Sequence, residues 1–243
     1  MLQRLVRRVG LVTVFAATGI SFLWAGSPES GSAPVWQRIA ANGDAYQAVI
    51  LKSDRLLDAV TPTVHAIVVD TSASQVGEHR QHSLQLVREL VAQLPADHEV
   101  RLYALDVALE PLTDTYCAAG SAETNAALQV LSRRVPLGAT NLLNGLDAVL
   151  HQLPRHKTAS VVYIGDGQST AETLTTERVA ALTKSFADRR TPVCSYGVGP
   201  QLNLQLLGAF AVQTGGNVLF DDHSGATGYV AAQAKKLAQA ATG

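Results

Sequence analysis

The sequence predicts an α/β domain, a doubly wound and mostly parallel sheet flanked by helices, preceded by an N-terminal signal or anchor helix. Three observations carry that expectation. From residue 61 onward, short apolar runs alternate with stretches of helical periodicity, the signature of strand–helix–strand units. Charged residues make up 16 % of the chain, against about 25 % in an average globular protein, and a sheet covered on both faces leaves little room for charge. Finally, Arg4, Arg7 and Arg8 precede an uncharged run from Val9 to Ala25, the basic and apolar regions of a secretory leader.

Residues 1–27 therefore read as a signal peptide or N-terminal membrane anchor. The run over residues 9–25 has 17 residues, at the lower limit of the roughly 17–25 needed to span a bilayer. Cleavage after Ala25 would place Leu23 at the −3 position, a poor small-residue site. Cleavage after Ser27 would place Ala25 there, with Pro28 directly following. Both fates, a cleaved leader and a retained membrane tether, fit the pattern. Either one exports the rest of the chain across the cytoplasmic membrane and leaves the arginines inside. Residues 28–60 read as a linker and helical lead-in. Gly26 to Pro34 is rich in Gly, Ser and Pro, and Leu51, Leu56, Leu57 and Val60 are available to pack one face of a helix over residues 36–60.

Residues 61–243 form the domain proper. Val64 to Asp70 is an apolar run ending in a carboxylate, a buried parallel strand. Leu84, Val87, Leu90, Val91 and Leu94 recur at helical spacing before Pro95. Strands follow at residues 100–105 and, as a shorter edge neighbour marked by Pro111, at residues 108–116. Helices are expected over residues 121–135 and 141–153, the latter with Leu142, Leu146, Val149, Leu150 and Leu153 on one face. A strand over residues 161–165 again ends at a carboxylate, Asp166. Helix 176–190, strand 193–198, helix 203–213 with Gly215 at its C-cap, strand 217–220 and helix 229–240 complete the pattern.

Composition excludes several classes. The net charge of −1 removes the bulk electrostatic case for nucleic acid. Cys117 and Cys194 alone make neither a disulfide scaffold nor a zinc site. Their strands belong to distant parts of the predicted sheet, beyond the ~7 Å that a disulfide tolerates.

The chemistry gathers in one constellation of oxygens. Open α/β sheets bind ligands beyond the carboxyl ends of their strands, where strand order reverses. Three polar loops should meet there: Asp70-Thr-Ser72-Ala-Ser74, Gly138-Ala-Thr140-Asn141 and Asp166-Gly167. Two carboxylates and several hydroxyls suit a hard divalent cation such as Mg²⁺. The competing reading makes the same residues helix N-caps.

The spacing resembles the von Willebrand factor type A domains. Their metal-ion-dependent adhesion site consists of Asp-x-Ser-x-Ser after the first strand, a Thr in a later loop and an Asp after the fourth strand. Asp70, Ser72, Ser74, Thr140 and Asp166 fill all five positions in order. The resemblance spans residues 60–243 and extends to Ile164-Gly-Asp-Gly167, Tyr196-Gly-Val-Gly199 and Thr214-Gly-Gly216. It implies that the Ser72, Ser74 and Thr140 hydroxyls bind Mg²⁺ or Mn²⁺ directly, while Asp70 and Asp166 act mostly through water. Neutral hydroxyls leave the cation much of its field, so that a Glu or Asp of a partner can complete the coordination. Two positions depart from the usual pattern. Ala73 stands where the family usually has Gly, and a positive φ there would cost on the order of 1 kcal/mol. Gly165 replaces a frequent Thr, with no penalty evident from sequence.

Other candidates are weaker. His79-Arg-Gln-His82 lacks the Glu of a metalloprotease helix and reads as a solvated face. Gly197-Val-Gly199 has Leu202 in place of the third glycine of a dinucleotide loop, and no Gly-x-Ser-x-Gly elbow is present. The resulting expectation is a non-enzymatic, metal-dependent binding module, exported and soluble or tethered, whose partner is a protein or matrix ligand offering a carboxylate. The alternatives are a metal-assisted hydrolase acting on phosphoesters and a structural domain with an inactive site. A hydrolase needs a base tuned toward neutrality, and His65, on the first strand of the domain, is expected to be buried within it.

Overall fold

The computed structural model describes residues 12–17, 35–39, 43, 45–50, 61–220 and 228–243. The chain divides into two units, Met1–Ala59 and Val60–Gly243.

The first unit holds a three-stranded antiparallel sheet of β1 (Val12–Ala17), β2 (Val35–Ile39) and β3 (Ala45–Ile50), in the order β1-β3-β2. Val12 pairs with Ile50 and Ala17 with Ala45, while Val35 pairs with Val49. This corrects two expectations. The signal or anchor helix over residues 9–25 is a strand at Val12–Ala17, and the lead-in helix over residues 36–60 is replaced by two strands. The physical reason is that a short apolar run does not distinguish strand from helix by periodicity. Val12, Thr13, Val14 and Phe15 are β-branched or aromatic, types that favour a pleated surface, and Asn42-Gly43 is a hairpin signal between β2 and β3. The remaining residues of the predicted leader, linker and lead-in lie outside the described residues. Among the described residues no helix is long and apolar enough to cross a membrane.

The second unit is the α/β domain. Its strands are β4 (Val64–Asp70), β5 (Glu99–Leu105), β6 (Leu109–Pro111), β7 (Cys117–Ala118), β8 (Ala159–Gly165), β9 (Val193–Gly197) and β10 (Val218–Phe220). They form one sheet in the order β10-β9-β8-β4-β5-β6, with β7 also pairing β5. The pairs from β10 to β5 are parallel, and β6 and β7 run antiparallel to β5. Pro111 lies at the edge, where its missing N–H breaks no ladder.

Every residue of β4 and β8 is buried, and strand alternation divides their side chains between two cores. On one face Ile67 and Val69 meet Leu86 and Leu90 of α1 (Glu78–Gln93), Leu131 of α2 (Ala122–Arg133) and Leu237 of α6 (Tyr229–Thr242). On the other, Ala66 and Val68 share a core with Leu146 of α3 (Leu142–Gln152), Phe186 of α4 (Thr176–Asp188) and Phe210 of α5 (Leu204–Thr214). α5 ends at Gly215 in the left-handed conformation, φ 78°. Both cysteines are free, Cys194 buried on β9 and Cys117 on β7.

At the amino end of the sheet, His65 is fully buried. Its Nδ1 lies 2.7 Å from Ser160 Oγ and its Nε2 lies 2.9 Å from His98 Nδ1. Burial, then the neighbouring His98, lowers its pKa to about 4. His82 corrects the solvated-face reading of the His79–His82 stretch, since its Nε2 lies 2.9 Å from the Tyr196 hydroxyl and the rings stack.

Candidate functional site

The parallel strands β4 and β8 are neighbours at the centre of the sheet, and the chain leaves them toward opposite sides, β4 to β5 and β8 to β9. Their carboxyl ends thus flank the switch point of strand order. Asp70 is the last residue of β4, and Asp166 follows β8.

Each carboxylate is pinned by a backbone N–H two residues on. Ser72 N donates to Asp70 Oδ1 at 2.8 Å, and Gln168 N donates to Asp166 Oδ1 at 2.9 Å. The Thr140 hydroxyl donates to Asp70, lying 3.3 Å from Oδ1 and 3.2 Å from Oδ2. Ser72 Oγ and Ser74 Oγ share a hydrogen bond of 3.1 Å. Asp70, Ser72, Ser74 and Thr140 therefore belong to one bonded cluster. Asp166, just past β8, faces the same gap. A Cβ on Gly199 would lie 2.7 Å from Asp166 Cβ and 3.1 Å from Gln75 Nε2, and Gln75 Nε2 lies 3.5 Å from Ser74 Oγ. None of the five residues is a helix N-cap: that position is Gly77 in α1, Asn141 in α3 and Thr175 in α4. Ala73 is not among the residues of positive φ, so it carries no left-handed strain.

The loops are tied to one another by the backbone. Ala73 N donates to Gly138 O at 2.9 Å, and Leu137 N donates to Thr71 O at 3.0 Å. The Arg134 guanidinium joins Asp106, at 2.8 Å, to the Thr71 hydroxyl, at 3.2 Å. Asn141 makes no side-chain cap for α3. The loop after β8 supplies the acceptors instead. Leu142 N donates to Ser169 Oγ at 2.9 Å and Leu143 N to Glu172 Oε1 at 2.7 Å. A carboxylate complements the positive end of a helix, and Glu172 is held there by Arg178 at 2.8 Å. Ala171 N also donates to Thr140 O at 3.0 Å.

Sequence reasoning missed Tyr163, Gln75 and Glu172. The Tyr163 hydroxyl donates to Asp70 Oδ2 at 2.9 Å and accepts from Gly167 N at 3.2 Å. Burial, with the charges of Asp70 and Asp166, holds this phenol well above its ordinary range, so it keeps its proton and donates. The one signal was a tyrosine inside an otherwise apolar buried strand, because a buried Tyr needs a partner for its hydroxyl. Gly165 fits its place: a Cβ there would lie 2.5 Å from Asp70 Cβ and as close to the Tyr163 oxygen, so the glycine carries no penalty and a side chain would.

Electrostatics give the cluster its chemical character. Asp70 is fully buried and Asp166 is 1 % exposed. Burial, opposed by the Ser72 hydrogen bonds and reinforced by the Asp166 charge, raises the Asp70 pKa to about 6. The hydrogen-bond donors on Asp70 are neutral: a backbone amide, a hydroxyl and a phenol. Gln75 Oε1 is buried with no hydrogen-bond partner. Two buried carboxylates and several hydroxyl oxygens fit a hard cation, which takes oxygen ligands. Among the described residues no group of three or more His, Cys, Asp or Glu side chains could hold a metal ion, so a cation here would depend on the hydroxyl oxygens as well as the two carboxylates. His65, the base considered for a hydrolase, is engaged with Ser160 and His98 at the opposite end of β4.

Comparison with known proteins agrees with this architecture. No curated protein matches the sequence. Among solved structures, a von Willebrand factor type A protein from Catenulispora acidiphila superposes with a TM-score of 0.62 at 14 % identity, covering 89 % of this chain and 52 % of that one. The present chain thus spans about half of that neighbour's length. An aerotolerance-related membrane protein from Bacteroides fragilis gives a TM-score of 0.59 at 14 % identity, covering 73 % of this chain and 98 % of that one. The manganese-loaded TRAP protein of Plasmodium vivax gives 0.54 at 16 % identity, over 73 % of this chain and 72 % of that one. At such identities these likenesses speak to the fold. The sequence itself matches a family profile over residues 66–220, from β4 through β10, and by that match the chain belongs to the von Willebrand factor type A domain family.

Proposed function

We propose that this is an exported protein-binding module in which Asp70, Ser72, Ser74, Thr140 and Asp166 hold Mg²⁺ or Mn²⁺, and in which a Glu or Asp of a partner protein or matrix component joins them. The single observation that carries the reading is the buried oxygen cluster around Asp70, drawn from the loop after β4, the loop before α3 and strand β8, and bonded only to neutral donors. Bound there, a divalent cation supplies positive charge and a coordination position open to an incoming carboxylate. Asp70 and Asp166 fix the charge of the site, and the Ser72, Ser74 and Thr140 hydroxyls contribute neutral oxygen. With neutral oxygens in direct contact, the ion keeps enough of its field to take an acidic side chain as a further ligand.

The surroundings favour a macromolecular partner. Val76, Val107, Leu137 and Leu174 are exposed in the loops that follow β4, β5 and β8 or precede α3, and Leu204 is exposed at the start of α5; exposed apolar side chains near a site are a feature of interaction surfaces. Leu204 follows Asn203, whose N–H is bonded to Asp166 O at 2.8 Å. Export rests on the arginines at positions 4, 7 and 8 ahead of the apolar run over residues 9–25. Fractionation of the producing cell tests it: a leader gives a shortened chain outside the cytoplasm, a tether gives an intact chain in the membrane pellet, and a cytoplasmic chain overturns export.

Calorimetric titration of Mg²⁺ and Mn²⁺ into the full chain, with Asp70→Ala alongside, tests the cation site. Saturable binding in the wild type that is lost in the variant is the expected result. Binding retained by Asp70→Ala would overturn the assignment. Thr140→Ala is expected to weaken capture of an acidic partner more than it weakens binding of the bare ion. Turnover of generic phosphoesters with Mn²⁺ would favour a hydrolase instead.

A further inference from the structure

We propose that Tyr163 is a positioning residue for the oxygen cluster, its phenol oxygen standing in the space left by the absent side chain at position 165. The proposal rests on reading the cluster as a divalent-cation site. Alternation along β8 places residues 163 and 165 on the same face. The register Val68 with Tyr163 and Val69 with Ile164 brings Asp70 beside Gly165. A Cβ on Gly165 would fall 2.4 Å from the Tyr163 oxygen and 2.5 Å from Asp70 Cβ, so a side chain at 165 and the observed phenol compete for one volume.

That placement gives the phenol two partners. It donates to Asp70 Oδ2 at 2.9 Å and accepts from Gly167 N at 3.2 Å. One oxygen thereby joins the carboxylate that ends β4 to the backbone just past Asp166. With Oδ1 taken by Ser72 N and Thr140 near both oxygens, Asp70 is fixed in rotation by donors from three elements. Without the phenol hydroxyl, Oδ2 keeps only Thr140, and Gly167 N loses its acceptor inside the protein. Groups that orient metal ligands in this way typically change metal affinity by roughly 10- to 100-fold when removed.

The test is Mn²⁺ affinity, by calorimetry and by the electron paramagnetic resonance of free Mn²⁺, in the full chain carrying Tyr163→Phe. Ser160→Ala serves as the control, since it removes a buried hydrogen bond from the same strand at the far end of the sheet. Tyr163→Phe is expected to weaken Mn²⁺ binding at least 10-fold, while Ser160→Ala lowers the melting temperature and leaves the affinity unchanged. Equal affinity in wild type and Tyr163→Phe would overturn the role of Tyr163 alone, and equal weakening by Ser160→Ala would reduce it to general packing. A wild type that binds no Mn²⁺ would overturn the cation-site reading and this proposal with it. If Tyr163→Phe does not fold, Tyr163→Met, which also lacks the hydroxyl and leaves Asp70 in place, is measured instead. The same loss is then expected, and an undiminished affinity would overturn the proposal.

Discussion

A carboxylate with no exposed surface, facing a second carboxylate and bonded to neutral donors, destabilises a chain that carries no counter-ion. Asp70 is that residue. Asp70→Asn should therefore raise stability in metal-free buffer at neutral pH, by on the order of 2 kcal/mol, while abolishing the response to Mn²⁺. Urea melts with and without the ion check both halves, and a variant less stable than wild type in chelator would contradict the electrostatic account. His65 gives the pH dependence. Its folded pKa, about 4, lies below its ordinary value of 6.5, so the unfolded chain binds the extra proton between those values and stability falls as pH falls through that window. Between pH 7 and pH 5 the wild type should lose about 2 kcal/mol relative to His65→Gln, measured from denaturant midpoints at the two pH values. At this scale the five oxygen-bearing residues were legible because their types and spacing follow the ends of apolar strands. Tyr163 was not, because its partner lies 93 residues away and nothing in a strand pattern says where a phenol tip reaches.

Helix α3 starts without a cap of its own, and its first amides are met by Ser169 and Glu172 from the loop after β8. Capping and dipole interactions of this kind contribute about 1–2 kcal/mol. Glu172→Ala should lower stability by that amount and speed amide exchange at Leu142 and Leu143, readable by hydrogen exchange. Unchanged protection there would mean that Glu172 serves only its ion pair with Arg178. Most elements of the domain could be read from periodicity, since long amphipathic helices and fully buried strands leave unambiguous patterns. The N-terminal segment could not. Its apolar run suits a helix by length, and only pairing with a distant strand, Val12 against Ile50 and Ala17 against Ala45, makes it a strand. The glycine at 165 was equally opaque, since the crowding it relieves comes from Asp70 on the neighbouring strand.

For the molecule as a whole, the division at Ala59 predicts that residues 60–243 fold without the preceding unit. That fragment, expressed alone, should unfold in a single cooperative transition with near-UV circular dichroism from its buried tyrosines. A broad, non-cooperative melt would show that the first unit is needed. With the site intact, Mn²⁺ at a hundred times its dissociation constant should add about 2.7 kcal/mol to stability.

Assembly of the oxygen cluster depends on chain topology. Thr140 and Tyr163 reach Asp70 from 70 and 93 residues away, so the loops that hold them converge only after β8 has docked beside β4. Loop closure over such distances comes late in folding. An ion therefore cannot act as an early template for this domain, and nascent or proteolysed fragments ending before β8 should be blind to it. On the proposed reading of the cluster as a cation site, Mn²⁺ added during refolding should be taken up only in the final kinetic phase, and uptake in an earlier phase would contradict this order of assembly.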